Sequence, residues 1–402
     1  MHARFSFLFV AFALACSSPA VTPQDDAGAT EPDATPDASP TPPSPAPPQV
    51  VDGGGPVLAT PTVVPVFFSG DALQGSVETF LQSLATSSYW TATTKEYGIG
   101  ALTIGASVTT SDVPPATDDA LAAWLAAEAD GTHTGWPKAD DSTLFAVFYP
   151  SSVTLTVHNK QSCQVFDGYH KDTLRADNGH LIYAPVMRCE GGSKTLDAVT
   201  LATSHEIIEA VTDPLYYSEQ AWAYEDDAHF IWTMITIGEI GDMCELEPQS
   251  AARLVGKFQV QRTWSNASAA AGHDPCVPAP ASPYFTAEAI MNDDVTLDTG
   301  AGPVSTKGIR LPTTRTQTVD VVLRSDGPMD TWQVKAADTS SLFGGPKELD
   351  LAFDRDTGKS GDVLKLTITR VAPGPFAGSA LVLTLTSTQS ATSHVWLGFV
   401  EN

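Results

Sequence analysis

Residues 195–212 read TLDAVTLATSHEIIEAVT and are followed by Asp213-Pro214. Neither Gly nor Pro interrupts the run, so a helix that begins near Thr195 continues until the proline, which pushes the residue before it out of the helical region. On that helix His205 and Glu209 stand four residues apart and project from one face, with Glu206 one step round beside them. Leu201, Ile207, Ile208 and Val211 make the same helix apolar, so its charges lie close to a buried region where an unpaired carboxylate is costly.

Strand and helix patterns alternate before this helix. Val63-Val64-Pro65-Val66-Phe67-Phe68 reads as a buried strand, and residues 71–86 carry the 3.6-residue periodicity of an amphipathic helix through Val77, Phe80, Leu81 and Leu84. Thr117 is placed to cap a helix over 118–130, with Leu121, Trp124 and Leu125 inward and Gly131 as its stop. Residues 144–149 and 181–187 read as further strands. The expectation for 57–278 is an α+β domain, zincin-like, with helices on a mixed sheet. From 283 to 402 the pattern changes to period-two runs, including Val319-Asp320-Val321-Val322-Leu323 and Val363-Leu364-Lys365-Leu366-Thr367-Ile368, separated by turn residues. That predicts an all-β, immunoglobulin-like sandwich. Asp354-Arg355-Asp356-Thr357-Gly358 superficially follows a calcium loop but lacks the terminal Glu, and reads as a turn.

The N-terminus predicts export. Residues 1–16 combine a short basic start with an apolar run too short to span a bilayer, and Ala13-Leu14-Ala15-Cys16 resembles a lipoprotein cleavage box ending in an acylated Cys16. Residues 17–56 are almost only Pro, Ala, Thr, Ser, Asp and Gly, the composition of a disordered tether. The expected location is the outer membrane or cell surface, with the membrane touched only through the lipid anchor, or else secretion. A net charge of −26 argues against nucleic acid as a partner. Besides Cys16 there are Cys163, Cys189, Cys244 and Cys276; an even number at wide spacing in an oxidising compartment predicts disulfides, most simply Cys163 with Cys189 and Cys244 with Cys276, although other pairings are open. The absence of a C-x-x-C pair speaks against a four-thiolate zinc site.

A metal-assisted hydrolase needs ligands from neighbouring helical turns and an uncoordinated carboxylate that can deprotonate water, as in the H-E-x-x-H zinc enzymes. Here His205 and Glu209 are the ligand candidates, Glu209 standing where a second His is usual, and Glu206 is the candidate general base. Downstream, Gly238-Glu239-Ile240-Gly241-Asp242-Met243-Cys244 forms a second acidic knot. Asp242 is the first choice for a third ligand, because the glycine before it lets the backbone come close and Cys244 can fix it. Asp213, Glu239 and His170 follow in that order; otherwise Asp213 is a turn or cap residue and His170 a surface histidine near a disulfide.

The segments from Ser204 to Pro214, from Gly238 to Cys244 and from Val260 to Asn266 together resemble a group of secreted bacterial and fungal zinc-metalloprotease-like proteins, with the pattern HExxE, TDP and GEIGDxC. Residues 63–97, with Ser88-Tyr89-Trp90 and Lys95-Glu96-Tyr97, and residues 163–170 are more distantly similar to the exordium, or phosphate-induced, family of plant cell walls. The resemblance covers most of 57–276 and implies an extracytoplasmic domain with a metal-type site. The leading expectation is a Zn²⁺ hydrolase acting on peptide or protein. The alternative is a non-catalytic cell-surface protein, its acids holding structural Ca²⁺ or pairing with one another, that engages a cell-wall component.

Overall fold

Strands whose two faces are both apolar belong in the middle of a sheet covered on both sides. The strands of the N-terminal half are β1 (Val50–Asp52), β2 (Thr62–Phe68), β3 (Thr103–Ile104), β4 (Val108–Thr110), β5 (Thr143–Phe148), β6 (Thr156–Val157), β7 (Lys160–Gln161), β8 (Lys171–Leu174) and β9 (His180–Val186). In β2, β5 and β9 nearly every residue is buried, and these three pair in parallel, Val64 opposite Phe145 and Leu144 opposite Ile182. The sheet order is β3-β2-β5-β9-β8, with β4 also on β2 and β8 antiparallel to β9, so the sheet is mixed.

The computed structural model describes residues 46–189, 196–298, 302–339, 347–371 and 381–401. The expected export segment with Cys16, most of the expected tether and Thr195 lie outside the described residues. No helix among the described residues is long and apolar enough to cross a membrane.

Helices cover both faces of the sheet. On one side lie α1 (Gln74–Ala85), α2 (Ser88–Thr94) and, after α3, α4 (Leu196–Thr212); Val63, Phe67, Leu144 and Ile182 pack there with Val77, Phe80, Leu81, Leu84, Ile207 and Ile208. On the other side α3 (Asp118–Glu128) sets Leu121 and Leu125 against Val64, Val66, Phe145 and Val147. The Thr117 hydroxyl oxygen accepts the Ala120 N–H as the cap, and Gly131 takes φ +91° just past the end. Trp124 is half-buried and stacks on Phe68.

Two stretches depart from the expectation. Residues 46–56 belong to the folded domain, because β1 pairs antiparallel with β10 (Trp222–Glu225), Val50 is buried, and Gly53 and Gly55 donate backbone N–H groups to Ala221 and Gln220. A polar, proline-rich composition hides one apolar residue and a strand whose partner is far away in sequence. The run 224–237, for which the sequence reading names no element, completes β10 and forms α5 (Phe230–Thr236), with Ile231 and Trp232 in the core.

The second half of the chain is a two-sheet β-structure. After β11 (Ala251–Val255), β12 (Phe258–Gln261), β13 (Thr263–Trp264) and β14 (Cys276–Val277), it runs β15 (Phe285–Ala289), β16 (Asp293–Asp298), β17 (Pro303–Arg310), β18 (Thr316–Ser325), β19 (Trp332–Asp338), β20 (Leu349–Phe353), β21 (Thr357–Gly358), β22 (Val363–Arg370), β23 (Leu381–Gln389) and β24 (Thr392–Glu401). One sheet has the order β15-β18-β22-β20 and the other β16-β17-β24-β23-β19-β21. Phe285, Val321, Leu323, Trp332, Val334, Leu364, Leu366, Leu383 and Leu385 are buried in its core. Asp354 accepts the backbone N–H groups of Arg355 and Lys365 at 2.9 and 2.8 Å, as a turn residue does. At the junction of the two halves, Glu247 meets His394 Nδ1 and the Val395 N–H, both at 3.0 Å.

Glu225, at the end of β10, is buried. Thr233 Oγ1 donates to its Oε2, while Oε1 has no partner. Burial pushes its carboxyl up to about 7. The folded pKa is therefore raised above the unfolded value, so the stability this group contributes is present in full at acid pH and is lost as pH rises through about 7. Glu225→Gln is expected to raise the melting temperature at pH 8, by a stability gain of about 2–3 kcal/mol at most, and to change it little at pH 4. An equal change at both pH values, measured by thermal circular dichroism, contradicts this account.

Candidate metal centre

The helix α4 stops at Thr212, and the Asp213 N–H closes its last turn onto the Glu209 carbonyl at 2.7 Å. Its final turns are buried on all sides. His205, Glu206, Glu209 and Asp213 are each less than a tenth exposed. β12 lies along the helix: Thr200 Oγ1 donates to the Gln259 carbonyl at 2.7 Å, Ser204 Oγ accepts the Gln261 N–H at 3.0 Å, and the Tyr89 hydroxyl donates to the Gln261 carbonyl.

Gln261 fixes the chemistry of His205. Its side-chain NH₂ donates to the Gly241 carbonyl oxygen at 2.7 Å, and a carbonyl can only accept, so the amide oxygen is the atom facing His205 Nδ1 at 2.9 Å. Nδ1 therefore carries a proton, and a neutral His205 has its lone pair on Nε2. That atom lies 3.0 Å from Glu209 Oε2 and 3.5 Å from Asp242 Oδ1. Two carboxylate oxygens facing one imidazole lone pair away from water require a proton or a cation between them.

The acidic knot reaches the helix through a glycine. A Cβ on Gly241 would stand 2.6 Å from Glu209 Oε1 and 2.9 Å from His205 Nδ1; only a bare backbone fits, and it brings the Asp242 N–H to 3.0 Å from Glu209 Oε1. The Cys244–Cys276 disulfide holds this loop to β14. A second loop approaches from the other side. The Cys163–Cys189 disulfide, the Met187 N–H donated to the Asp167 carbonyl (2.7 Å) and the Tyr169 hydroxyl donated to Asp118 (2.8 Å) fasten it against the sheet. Gly168 lies against Glu206, where a Cβ would be 2.7 Å from Oε1. His170 is buried, not a surface histidine, and its Nε2 lies 2.8 Å from Glu239 Oε1. The sequence shows it only as a loop residue, because the partner that buries it is on another element.

Charge is unbalanced here. Glu206, Glu209, Asp213 and Glu239 are buried and Asp242 is half-buried, yet the bases among them are His170 and His205; among the described residues no Lys or Arg pairs with these acids. Burial pushes the Glu206 carboxyl up to about 8 and, with the repulsion of Glu209, lifts Glu239 and Asp242 well above the carboxylate range. Burial alone would raise Glu209 and lower His205; their mutual attraction outweighs it and drives each the other way. Burial raises Asp213, whose Oδ1 accepts the Ala221 N–H at 2.7 Å. These are the properties of a donor set suited to a divalent cation.

Ligand atoms of His205, Glu206 and Glu209 lie within 4.8 Å of one another, as do those of His205, Asp242 and Glu245 and those of His170, Glu209 and Glu239. The sequence reading omits Gln261 and the exposed Glu245. Gln261 is a buried polar residue at the end of a strand, and Glu245 follows Asp242 by three residues in one tight turn. A cleft of about 340 Å³ lies elsewhere, between the two halves, lined by Trp232, Glu247, Trp264 and Tyr284 among others.

No family model and no curated protein matches the chain. Among solved structures, the crystal structure of the titin M3 domain is similar at 10% identity and a TM-score of 0.17, covering 30% of this chain and 94% of that one. Similarity at that level leaves the fold to be read from the strands themselves.

Gly241→Ala is expected to cost about 1–3 kcal/mol, because the added methyl overpacks against Glu209 and His205. Gly75→Ala, in α1 where a Cβ meets nothing within 4 Å, is expected to be neutral or stabilising by up to about 1 kcal/mol. Urea unfolding midpoints compare the two; equal shifts would discount the close approach at Gly241.

Proposed function

We propose that the chain is an extracytoplasmic metal-dependent hydrolase of zinc-peptidase type, with His205, Glu209 and Asp242 as metal ligands and Glu206 as general base. The observation that carries the reading is the approach of Glu209 Oε2 and Asp242 Oδ1 to His205 Nε2, at 3.0 and 3.5 Å, while Gln261 occupies the other imidazole nitrogen. A histidine whose outer nitrogen is held by an amide oxygen is oriented as metal-ligating histidines are.

A divalent cation bound there supplies Lewis acidity and acidifies water. The protein's own part is proton handling and orientation. Glu206, adjacent on the helix, is not used by the His205–Asp242 contact, and burial has raised its proton affinity toward neutrality, the range suited to accepting a proton and passing it on. Gln261 holds a proton on His205 Nδ1, which leaves Nε2 as the atom offered to a metal, and fixes the ring in rotation. Gly241 and Gly168 let two loops approach the helix closely enough to exclude bulk water from it. In this reading the domain is zincin-like in its metal-bearing helix, and export with an acylated Cys16 supplies its location. The two disulfides fit an oxidising compartment.

A second reading has an observation of its own. Carboxylates outnumber imidazoles in the cluster, and oxygen-rich sets suit Ca²⁺. The chain would then be a non-catalytic surface protein, its ion structural, engaging a cell-wall component or partner protein.

Metal analysis and casein cleavage by the purified full chain separate the two. The hydrolase reading expects bound Zn²⁺, Zn²⁺ loss in His205→Ala, and retained Zn²⁺ with at least about 100-fold slower cleavage in Glu206→Gln. Cleavage unaffected by Glu206→Gln, or binding of Ca²⁺ but not Zn²⁺ without cleavage, overturns it.

A further inference from the structure

We propose that the cluster holds a pair of divalent cations, the second bound by His170, Glu239 and Asp213, with Glu209 shared between the two. The inference rests on the reading of the cluster as a metal centre and extends it.

Donors on one ion, at about 2.0–2.2 Å from it, stand no more than about 4.4 Å apart. Three groups here have ligand atoms within 4.8 Å of one another, close to that limit: His205 with Glu206 and Glu209, His205 with Asp242 and Glu245, and His170 with Glu209 and Glu239. The first two share His205, and Glu209 joins the first to the third. The two imidazoles come from different supports, α4 and the loop fastened by the Cys163–Cys189 disulfide, and both have ligand atoms within 4.8 Å of Glu209.

The group around His170 also leaves polar atoms unmet. Asp213 is fully buried; its Oδ1 accepts from Ala221, but Oδ2 has no hydrogen-bond partner. His170 is less than a tenth exposed, with Nε2 toward Glu239 and Nδ1 unpartnered. Both side chains interact electrostatically with Glu209, and Asp213 also with Glu239. An isolated buried carboxylate oxygen beside two further carboxylates is unfavourable unless something positive lies among them. One cation at His205, Glu209 and Asp242 leaves Asp213 Oδ2 unmet and Glu239 facing only the imidazole of His170; a second answers both. A carboxylate can bridge because it has two oxygens, and paired ions about 3.5–4 Å apart are a recurrent hydrolytic arrangement that stabilises both attacking and leaving oxygens.

The test uses the metal-stripped full chain reloaded with Zn²⁺, with elemental analysis after gel filtration, and with Mn²⁺ for electron paramagnetic resonance. Two Zn²⁺ per chain are expected in the parent, falling to one in the Glu239→Gln, Asp213→Asn double variant and to one in His205→Ala. The Mn²⁺-loaded parent is expected to show a spin-coupled spectrum, a readout that needs no variant to fold. One Zn²⁺ in the parent, kept by the double variant and lost in His205→Ala, overturns the second site and leaves the first. One Zn²⁺ lost in both variants means a single shared ion and also overturns the pair. No Zn²⁺ in the parent removes the metal centre altogether.

Discussion

Carboxylates taken out of water around the end of α4 impose the constraint on which this half of the protein is built. Glu206, Glu209, Asp213 and Glu239 are buried within reach of the same two imidazoles. Desolvation alone makes each ionised form expensive, and their mutual repulsion adds to it. A chain with nothing bound resolves the conflict by retaining protons, which is why Glu206, Glu239 and Asp242 are all shifted upward. A cation replacing those protons would bind the folded chain and not the unfolded one, and would stabilise it by mass action.

The surrounding architecture is what keeps so repulsive an arrangement assembled. Neither ligand-bearing loop has more regular structure than the single 3-10 turn of Asp242–Cys244 with which to fix itself. The loop of His170 is enclosed by the Cys163–Cys189 disulfide and the loop of Glu239 and Asp242 is anchored at its end by Cys244–Cys276, over separations of 26 and 32 residues. Crosslinks of that length stabilise by roughly 3–4 kcal/mol in the chain-entropy account, comparable to what one buried unpaired carboxylate costs. The loops are thus held by covalent crosslinks and the helix by packing, with Ile207, Ile208 and Val211 buried on the sheet side. Gln261 joins the two, since its side chain bonds the helix histidine and the loop carbonyl together.

Much of this was legible in the sequence wherever the signal is local. The apolar periodicity of α1, the Thr117 cap, the proline after α4 and the apolar runs within β2, β5 and β9 each determine their own conformation over a few residues. What was not legible depends on partners distant in the chain. Val50–Asp52 is a strand only because Trp222–Glu225 lies beside it, and composition alone made it part of a tether. The parallel pairing of the sheet depends on where the crossovers pack. In the cluster, the helix motif and Gly241 were readable as spacing and close approach. The burial of His170 and the amide of Gln261 were not, because both follow from contacts made across more than fifty residues of chain.

The glutamate at 209 shows how a departure from a familiar pattern can be read physically. In H-E-x-x-H the second ligand is an imidazole, which has one lone pair to give once its other nitrogen is protonated. Here one oxygen of Glu209 faces His205 and the other accepts the Asp242 N–H, while its carboxylate also lies within 4.8 Å of His170 and Glu239 donor atoms. An imidazole at this position could not accept from a backbone amide and face two further ligand groups together. Nor could it supply the negative charge that raises the proton affinity of His205. Histidine at 209 would therefore suit a site with one ion and few acids. Glutamate suits a site in which two loops, one bringing His170 and the other Glu239 and Asp242, must meet on the same side chain.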